Sequence, residues 1–372
     1  MELGLLPALG SGIGDLRRTG QASRMIDGYL RAYVRAFSRV WYFSYLPEAL
    51  ADFTDDGALR EAVSVLGPTR PRPRLLRALE LPARHRREFA RCAVLRVFQL
   101  TGILPALVAR AVWGTPFVTT YGFWYGRLAR SAASRLAVRT LERVGLRRAA
   151  AVIVTTEDLR AHVATMAPAD RIHLIPNGVD LGRFAPAPRR ARRGAILYIG
   201  RLSAEKNLSA LVQATAKLRD GVPRRLVMIG DGPLRGRLEA EASAAGVVAE
   251  FAGIVDHQLV PARLREADAF VLPSFTEGHP KTLIEAMAAG VPCVASDCAG
   301  NRALIKDGET GLLFDAHDPA TLAAALERVL TDETLAGSLG RAGHEVASQD
   351  YDLGRLVQTE IDLLARVARS AR

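Results

Sequence analysis

The sequence has little cysteine and no long apolar run. Three cysteines, Cys92, Cys293 and Cys298, are too few for a disulfide framework in 372 residues. Cys293 and Cys298 have no second ligand pair nearby, so we expect buried thiols rather than a zinc site. Because no run reaches about 18 uncharged apolar residues, we expect no transmembrane helix. The first residues, MELGLLPALG, lack a basic segment followed by an apolar core, so we also expect no secretory signal.

Lysine is absent from the first half, where the positive charge is nevertheless concentrated. Residues 1–185 hold 27 arginines against 15 acidic residues, a net charge of +12. Residues 186–372 hold 23 cations against 24 acidic residues, a net charge of −1. A GC-rich genome explains arginine in place of lysine, but it does not explain the asymmetry. A one-sided basic surface favours an anionic partner: a lipid surface, nucleic acid or an acidic substrate.

The length predicts two domains, and the second half is the more regular. It alternates short apolar runs with helical stretches, the pattern of a doubly wound parallel α/β sheet. The predicted strands are 195–199, 226–229, 269–272 and 291–295, and the predicted helices are 207–218, 234–245 and 282–289. Such sheets bind ligands beyond the carboxyl ends of their strands.

The first half is similar in kind, and a boundary follows it. Its predicted strands are 4–9, 40–45, 93–98, 117–121 and 151–154, with a helix over 21–37. The Pro- and Arg-rich segment 68–91 reads as a surface loop leading into a basic helix. Linker composition over 178–193 places the domains at 1–180 and 181–352. An amphipathic helix within 353–372 either covers the second domain or crosses back to the first.

The most informative stretch is LPSFTEGHPKTLIEAM, residues 272–287. A strand ends near Leu272, a loop carries Glu277 and Gly278, and a helix begins around Pro280. Proline suits a first helical turn because its missing N–H has no partner there. The free amides at such a helix start attract anionic or hydroxyl-rich groups.

The two acids of this stretch do not suit a glycosidase. If both were helical, Glu277 and Glu285 would lie about 12 Å apart at ~1.5 Å per residue. Hydrolytic carboxylate pairs need roughly 5–9.5 Å across a sugar. One acid on the loop and one in the helix suit an extended ligand with two sets of hydroxyls.

Two further turns follow predicted strands, and a third lies just before the predicted linker. GRLSAEKN, residues 200–207, places Arg201 and Lys206 where two cations suit a diphosphate. The alternative is a solvated charged loop in which Glu205 neutralises Lys206. GDGP (residues 230–233) and IPNGVD (residues 175–180) are Gly-containing turns, compatible with close approach to a ligand or with tight turns alone.

These four stretches, in this order, resemble the retaining glycosyltransferases of family 4 (glycosyl transferase group 1). That family has the GT-B fold, in which two Rossmann-like α/β domains face each other across a cleft. The resemblance is strong over residues 150–350, and its most specific part is Glu277, seven residues and Glu285. It implies an N-terminal acceptor-binding domain and a C-terminal domain for a nucleotide-sugar donor.

The resemblance implies a role for each donor-side residue. Arg201 and Lys206 would bind the diphosphate and stabilise its charge as it leaves, Glu277 would contact the sugar, and Glu285 would hold the ribose hydroxyls. The remaining donor-side residues are Gly200, Gly230, Gly232, Ile254 and Val255 near the nucleotide, and Gly278, His279, Pro280, Lys281 and Thr282 along the sugar and diphosphate.

The same resemblance implies no metal and no other cofactor, because the cations and the helix dipole stabilise the leaving charge. The only Asp-x-Asp, residues 350–352, precedes the last predicted helix, a poor place for a metal. On the acceptor side, glycines after the first strand are expected near the donor phosphates; Gly10, Gly12, Gly14 and Gly20 are the candidates. Gln99 ends another strand, and Tyr121 stands where the family commonly has histidine.

The predicted function is transfer of a hexose from a UDP- or GDP-linked sugar, with retention of configuration, in cell-envelope glycolipid or polysaccharide synthesis. A non-catalytic nucleotide-sugar or membrane-binding protein on the same fold is the alternative, disfavoured by the presence of all four cationic and acidic site residues. An NAD-dependent oxidoreductase is a poor fit. Asp15 follows Gly14 where the dinucleotide pattern needs a small residue, and arginines fill the region where an acid is expected.

No nucleic-acid-reading element accompanies the basic half, so an anionic membrane is the preferred partner. Residues 84–91 would face lipid, at up to ~1 kcal/mol per cation. Trp113, Phe123 and Trp124 either insert beside them or pack in the core. We expect a cytoplasmic protein, peripheral at the inner face of the cell membrane, with a lipid-linked or saccharide acceptor.

Overall fold

The computed structural model describes residues 1–68, 73–124, 132–186, 194–222 and 224–371. The chain divides into two compact units. The first unit comprises Met1–Pro176 together with Gly354–Arg372, and the second comprises Asn177–Leu353. Each unit is built on its own parallel sheet, so the two α/β domains expected from the sequence are confirmed.

The first unit contains a seven-stranded sheet. Its strands are β1 (Glu2–Leu6), β2 (Arg39–Phe43), β3 (Val63–Leu66), β4 (Cys92–Val97), β5 (Phe117–Tyr121), β6 (Ala151–Val154) and β7 (Ile172–Leu174). All neighbours pair in parallel, in the order β3-β2-β1-β4-β5-β6-β7. The chain changes direction across the sheet between β1 and β4, the position at which open α/β sheets bind ligands.

The second unit contains a six-stranded sheet. Its strands are β8 (Ala195–Ile199), β9 (Arg225–Ile229), β10 (Ala249–Gly253), β11 (Ala269–Leu272), β12 (Cys293–Ser296) and β13 (Leu312–Phe314). The order is β10-β9-β8-β11-β12-β13, again parallel throughout. Here the chain reverses between β8 and β11, which places the loops that follow these two strands side by side.

Helices connect the strands in both units. In the first unit they are α1 (Ile13–Arg18), α2 (Ala22–Met25), α3 (Arg31–Ala36), α4 (Gly57–Ala62), α5 (Arg74–Arg84), α6 (Arg86–Arg91), α7 (Leu104–Trp113), α8 (Ala132–Arg148) and α9 (Glu157–Ala164). In the second they are α10 (Leu208–Ala216), α11 (Arg235–Ala244), α12 (Val260–Arg265), α13 (Lys281–Ala288), α14 (Ala299–Arg302), α15 (Pro319–Thr331) and α16 (Glu333–Asp350), and α17 (Leu353–Ser370) ends the chain. Among the described residues, no helix is both long and apolar enough to span a bilayer.

Two predicted segments differ from the structure. The helix expected over 21–37 is formed, but a π-helical turn, Ile26–Leu30, lies between α2 and α3. The Pro- and Arg-rich segment becomes helical sooner than expected, because Pro73 ends the extended run and α5 begins at Arg74. Residues 69–72 of that segment, and residues 187–193 of the predicted linker, lie outside the described residues.

The sequence patterns did not predict four strands: β3, β7, β10 and β13. These four are the edges of the two sheets. A central strand such as β11 is buried along its whole length and therefore reads as a continuous apolar run. Every residue of β10 is only half-buried, and its sequence AEFAG includes a glutamate and a glycine, so it gives no such signal.

A buried ion pair fixes α17 within the first unit. Arg96, in β4, donates from Nε and Nη2 to the two carboxylate oxygens of Glu360, at 2.7 and 2.9 Å. Both residues are buried, and the Tyr33 hydroxyl donates to the same carboxylate. Burial lowers the pKa of Arg96, but the Glu360 charge outweighs it and leaves the pKa above its ordinary value. The Arg96 guanidinium therefore stays charged and needs its carboxylate partner.

Replacing Glu360 tests this pair. Glu360→Ala leaves the Arg96 guanidinium buried without its counter-charge, so we expect a loss of about 3–5 kcal/mol in the free energy of unfolding, measured by urea titration. Asp362→Ala on the exposed face of the same helix is the control, with an expected change within about 0.5 kcal/mol. Equal effects of the two substitutions would contradict this account of how α17 is held.

Candidate functional site

The candidate site lies at the carboxyl ends of β8 and β11, the neighbouring strands at which the second sheet reverses direction. The loop after β8 carries Arg201 and Lys206, and the loop after β11 carries Glu277. The Phe275 amide donates to the Glu205 carbonyl oxygen at 2.9 Å, which joins the two loops through their backbones. The two sequence motifs are thus brought together by sheet topology.

The central contact of the site is an ion pair between Lys206 and Glu277. Lys206 Nζ lies 2.6 Å from Glu277 Oε1, and the Ser274 hydroxyl donates to the same oxygen at 2.6 Å. The side chains are 20% and 10% exposed, so the pair is partly shielded from water. An ammonium group has three N–H donors, which leaves Lys206 with donors beyond the one directed at Glu277.

The loop after β8 holds Lys206 in a short 3₁₀ turn, Ala204–Lys206. Asn207 ends this turn in the left-handed conformation (φ 54°), which asparagine tolerates better than most residues, and its side-chain amide donates to the Ala316 carbonyl oxygen at 2.8 Å. Arg201 is exposed, and its carbonyl oxygen accepts from the Tyr198 hydroxyl.

Glu205 is not the partner of Lys206 that the solvated-loop alternative requires. Its carboxylate accepts from the Ser203 hydroxyl at 2.6 Å, while the Lys206 ammonium contacts Glu277. Burial raises the pKa of Glu205, but the hydrogen bond from Ser203 and the nearby cations leave it below its ordinary value. Glu205 is therefore an ionised carboxylate whose hydrogen-bond partner is Ser203 and not Lys206.

Three glycines let neighbouring loops lie backbone to backbone. A Cβ added at Gly230 would overlap the Gly200 carbonyl oxygen, and one at Gly232 would overlap the Leu202 carbonyl oxygen. These contacts explain both glycines without a ligand, so their predicted place beside the base stays a prediction. The third is Gly300, which the sequence patterns missed. Its Cβ would lie 2.6 Å from the backbone of Glu277, so a larger residue there would displace the acid's loop.

Helix α13 carries Glu285, whose carboxylate is buried against His257 at 2.8 Å between Oε1 and Nε2. The side chains are 2% and 4% exposed. Little of Glu285 is open to a ligand, so its contact with ribose hydroxyls stays a prediction. His257 lies in the segment after β10, where no periodic pattern marks it, and sequence reasoning missed it.

The first turn of α13 presents amides without a side-chain cap. Pro280 precedes the helix as its N-cap residue, one position earlier than a first-turn proline, and Lys281 begins it. Gly278 and Pro280 are buried, Lys281 is exposed and Thr282 is half-buried. Uncapped amides at a helix start favour an anionic group. After β10, Ile254 is 51% exposed and Val255 is half-buried.

His279 is a neutral, buried part of the loop before α13. Its Nδ1 accepts from the Asn177 amide at 3.3 Å, and its carbonyl oxygen accepts from the Asn177 side chain at 2.7 Å. Burial, with a smaller contribution from the Lys281 charge, lowers the pKa of His279 from 6.5 to about 3. Asn177 belongs to the IPNGVD turn, which therefore supports the loop of the Glu277 motif.

In the first unit, the glycine-rich loop after β1 is held by an internal carboxylate. The Ile13 and Gly14 amides donate to the two oxygens of Glu48 at 2.8 and 2.7 Å. A Cβ at Gly12 would overlap Glu48 and the Ser44 hydroxyl, so this glycine is required by the contact. Sequence reasoning missed Glu48, because its role depends on a residue 35 positions away.

The other acceptor-side candidates separate into exposed and buried residues. Gln99 is exposed at the carboxyl end of β4, whereas Gly20 is buried in the left-handed conformation (φ 72°), which explains the glycine. Tyr121 is 1% exposed, and its hydroxyl donates to Glu142 at 3.1 Å. Their predicted contacts with substrate stay predictions.

The described residues contain no group of three or more His, Cys, Asp or Glu side chains placed to hold a metal ion. Asp350 ends α16, and Asp352 pairs with Val179 in an isolated β-bridge. Cys293 is a buried free thiol, as expected, whereas the same expectation for Cys298 is wrong. Cys92 is also a buried free thiol, and burial raises the pKa of both Cys92 and Cys293. Cys298 is also free but only half-buried.

Acid sensitivity should follow from His279. Because its pKa rises from about 3 to 6.5 on unfolding, the unfolded chain binds the extra proton, and stability falls as the pH drops through this range. Between about pH 7.5 and about pH 5, we expect wild type to lose about 2 kcal/mol more than His279→Gln in urea titrations. The exposed His317→Gln serves as control and should follow wild type. Parallel losses in wild type and His279→Gln would contradict the assignment.

Comparison with known proteins agrees with this geometry. The family model described as "Glycosyl transferases group 1" matches residues 184–346, and the one described as "Glycosyltransferase Family 4" matches residues 22–183. A D-inositol 3-phosphate glycosyltransferase of a Nocardioides species is 31% identical over 307 residues, covering 71% of this chain and 67% of the relative. The glycogen synthase of Mycobacterium tuberculosis is 37% identical over 186 residues, and the match covers 49% of this chain and 45% of that protein, less than half its length.

Solved structures share the fold at low sequence identity. Sucrose-phosphate synthase of Thermosynechococcus elongatus has a TM-score of 0.81 at 21% identity, over the whole of both chains. HepE of Anabaena, solved with UDP-glucose, has a TM-score of 0.81 at 19% identity, over 98% of this chain and all of that one. Together with the two family models and the Nocardioides relative, these matches show that the chain belongs to glycosyltransferase family 4, the glycosyl transferases group 1 of GT-B fold.

Proposed function

We propose that this protein is a metal-independent, retaining glycosyltransferase that moves a hexose from a nucleoside-diphosphate sugar to an acceptor. The observation that carries the proposal is the Lys206–Glu277 pair at the carboxyl ends of β8 and β11, beside the exposed Arg201. This pair places a cation that can bind phosphate next to an acid that can bind sugar hydroxyls, at the edge of the sheet where parallel α/β sheets bind ligands.

The cations supply the chemistry that a departing diphosphate needs. As the bond between the sugar and the diphosphate breaks, negative charge grows on the phosphate oxygens. The Lys206 ammonium and the Arg201 guanidinium donate to these oxygens, and the uncapped amides at the start of α13 add partial positive charge. Preorganised donors of this kind stabilise the transition state more than the ground state, which raises turnover. This arrangement is why we propose that no metal is needed.

Glu277 has two tasks in this proposal. Its Oε1 fixes the Lys206 ammonium, and its carboxylate accepts from hydroxyls of the donor sugar. The Ser274 hydroxyl and the close packing of Gly300 hold the acid in place. Glu285, oriented by His257, then accepts from the ribose hydroxyls of the nucleotide.

The donor class is supported by the structural neighbours. HepE has been solved with UDP, with UDP and glucose, and with UDP-glucose. We therefore propose a UDP- or GDP-linked hexose as donor. For the acceptor we propose a lipid-linked or saccharide molecule of cell-envelope glycolipid or polysaccharide synthesis, used by a cytoplasmic enzyme peripheral to the membrane.

Turnover of the two cation variants tests the proposal. Arg201→Ala or Lys206→Ala removes a donor to the leaving diphosphate, so we expect turnover of the nucleotide sugar to fall on the order of 10²–10³-fold. The measurement is nucleoside diphosphate released per enzyme, with EDTA present throughout. Lys217→Ala, an exposed lysine at the end of α10, is the matched control and should retain wild-type turnover.

Near-normal turnover in both Arg201→Ala and Lys206→Ala would reject the roles given to these cations. Complete loss of wild-type turnover in EDTA, restored by added Mg²⁺ or Mn²⁺, would reject metal independence alone. The retaining mechanism is tested by the anomeric configuration of the product, measured by NMR before mutarotation. A product of inverted configuration would overturn the proposed retention.

A further inference from the structure

Helix α5 exposes an apolar face to solvent. Leu75, Leu76 and Leu79 are 61%, 52% and 55% exposed, although leucine is ordinarily buried. At about 100° per residue these leucines and the exposed Ala83 fall within roughly 100° of one another, so they form a single stripe along the helix. We call these four residues the α5 outer face.

The adjoining face of α5 is anchored in the core of the first unit, so the leucines cannot turn inward. Ala78 and Leu81 are buried in the same cluster as Phe89 of α6. Arg77, on the flank of the helix, donates from Nη1 to the Tyr45 carbonyl oxygen at 2.7 Å. The apolar side of α5 is thus wider than the part that packs inside the protein, and the α5 outer face is the remainder.

Positive charge surrounds the α5 outer face. Residues 73–91 include six arginines and two glutamates. Arg74 and Arg84, at the two ends of α5, are exposed, as are Arg86 and Arg87 in α6. Both glutamates of the segment, Glu80 and Glu88, are half-buried. The exposed charged side chains at the two ends of the apolar stripe are therefore cationic, and we call these four arginines the cationic rim.

We propose that the α5 outer face is the docking surface of this protein for an anionic lipid bilayer. Helices that lie in the membrane interface combine a leucine-rich face with basic residues, as this one does. The leucines enter the boundary between headgroups and acyl chains, and the arginines remain beside the lipid phosphates, to which guanidinium groups bind well. A protein partner does not require the cationic rim, whereas an anionic bilayer complements both features.

The purpose of this docking surface rests on the proposed function. Membrane binding would keep the enzyme where lipid-linked acceptors are found. Of the two roles that the sequence left open for the nearby aromatic residues, the structure shows core packing. Trp113, Phe123 and Trp124 are half-buried and pack against the core of the first unit, so they are not free to insert. The exposure of the α5 leucines could not be predicted from the sequence, because an amphipathic pattern does not show which apolar residues are packed.

Flotation of the full-length protein with vesicles tests the proposal. The probes are vesicles of phosphatidylcholine alone and of phosphatidylcholine with phosphatidylglycerol, at about 0.1 M salt. We expect flotation with the anionic vesicles only. Leu75→Ser with Leu79→Ser should weaken this binding at least about tenfold, since each leucine loses its transfer from water to lipid. Arg86→Gln with Arg87→Gln should also weaken binding to the anionic vesicles, and the loss should be larger at low salt than at high salt, because salt screens the attraction between arginine and lipid phosphate.

The matched control is Leu259→Ser, a leucine of the second unit that is 58% exposed, which should float like wild type. Unfolding curves of all variants should agree, because every substituted side chain is exposed. Equal flotation of wild type and the double leucine variant would overturn the proposal, as would absence of wild-type flotation with anionic vesicles. Loss of a dimer in the leucine variant, with no flotation of wild type, would assign the face to a second copy instead.

Turnover of the nucleotide sugar in solution separates this proposal from the proposed function. The leucine variants should retain wild-type turnover without vesicles, because Leu75 and Leu79 are exposed and none of the predicted donor-side residues lies on α5. A protein that floats but turns over no nucleotide sugar would reject the proposed function and leave the docking surface standing. A protein that turns over the nucleotide sugar but does not float would reject the docking surface and leave the proposed function standing.

Discussion

The ion pair between Lys206 and Glu277 is the contact on which the candidate site depends. It joins the loops that follow β8 and β11, two strands that are adjacent only because the second sheet reverses direction there. The cation and the acid lie 71 residues apart in the chain, yet each holds the other in position. The surrounding features, the Ser274 hydroxyl and the close approach of Gly300, hold this pair in one geometry.

The central part of the fold could be predicted from the sequence, because central parallel strands are buried on both faces. β5, β6, β8 and β11 coincide with the apolar runs that predicted them. The edge strands β3, β7 and β10 could not be predicted, because most of their residues are partly exposed. The edge strand β13 is mostly buried, but its three residues are too few to form a pattern. The predicted loop positions of Arg201, Lys206 and Glu277 followed from the strands, since a residue just after a parallel strand lies at the ligand-binding edge.

The contacts that support the site were beyond sequence reasoning. His257 beside Glu285 and Glu48 beneath the glycine-rich loop are single polar residues whose partners are distant in the chain. Gly230 illustrates the same limit: its pattern suggested closeness to a ligand, but its missing side chain makes room for the Gly200 carbonyl oxygen. The excess charge of the first half, similarly, indicated an anionic partner, but the surface that we propose for it could be chosen only from the structure, which shows which part of α5 is packed.

The central claim is that the second unit holds a nucleoside-diphosphate sugar through the cations after β8. Calorimetric titration of the folded, full-length protein with UDP, GDP, ADP and dTDP, and with their hexose derivatives, tests it most directly. The account predicts that UDP or GDP binds at a single site, and that the corresponding hexose derivative competes for that site. Absence of binding by every member of the panel, in a sample whose folding is verified by its unfolding transition, would contradict the claim.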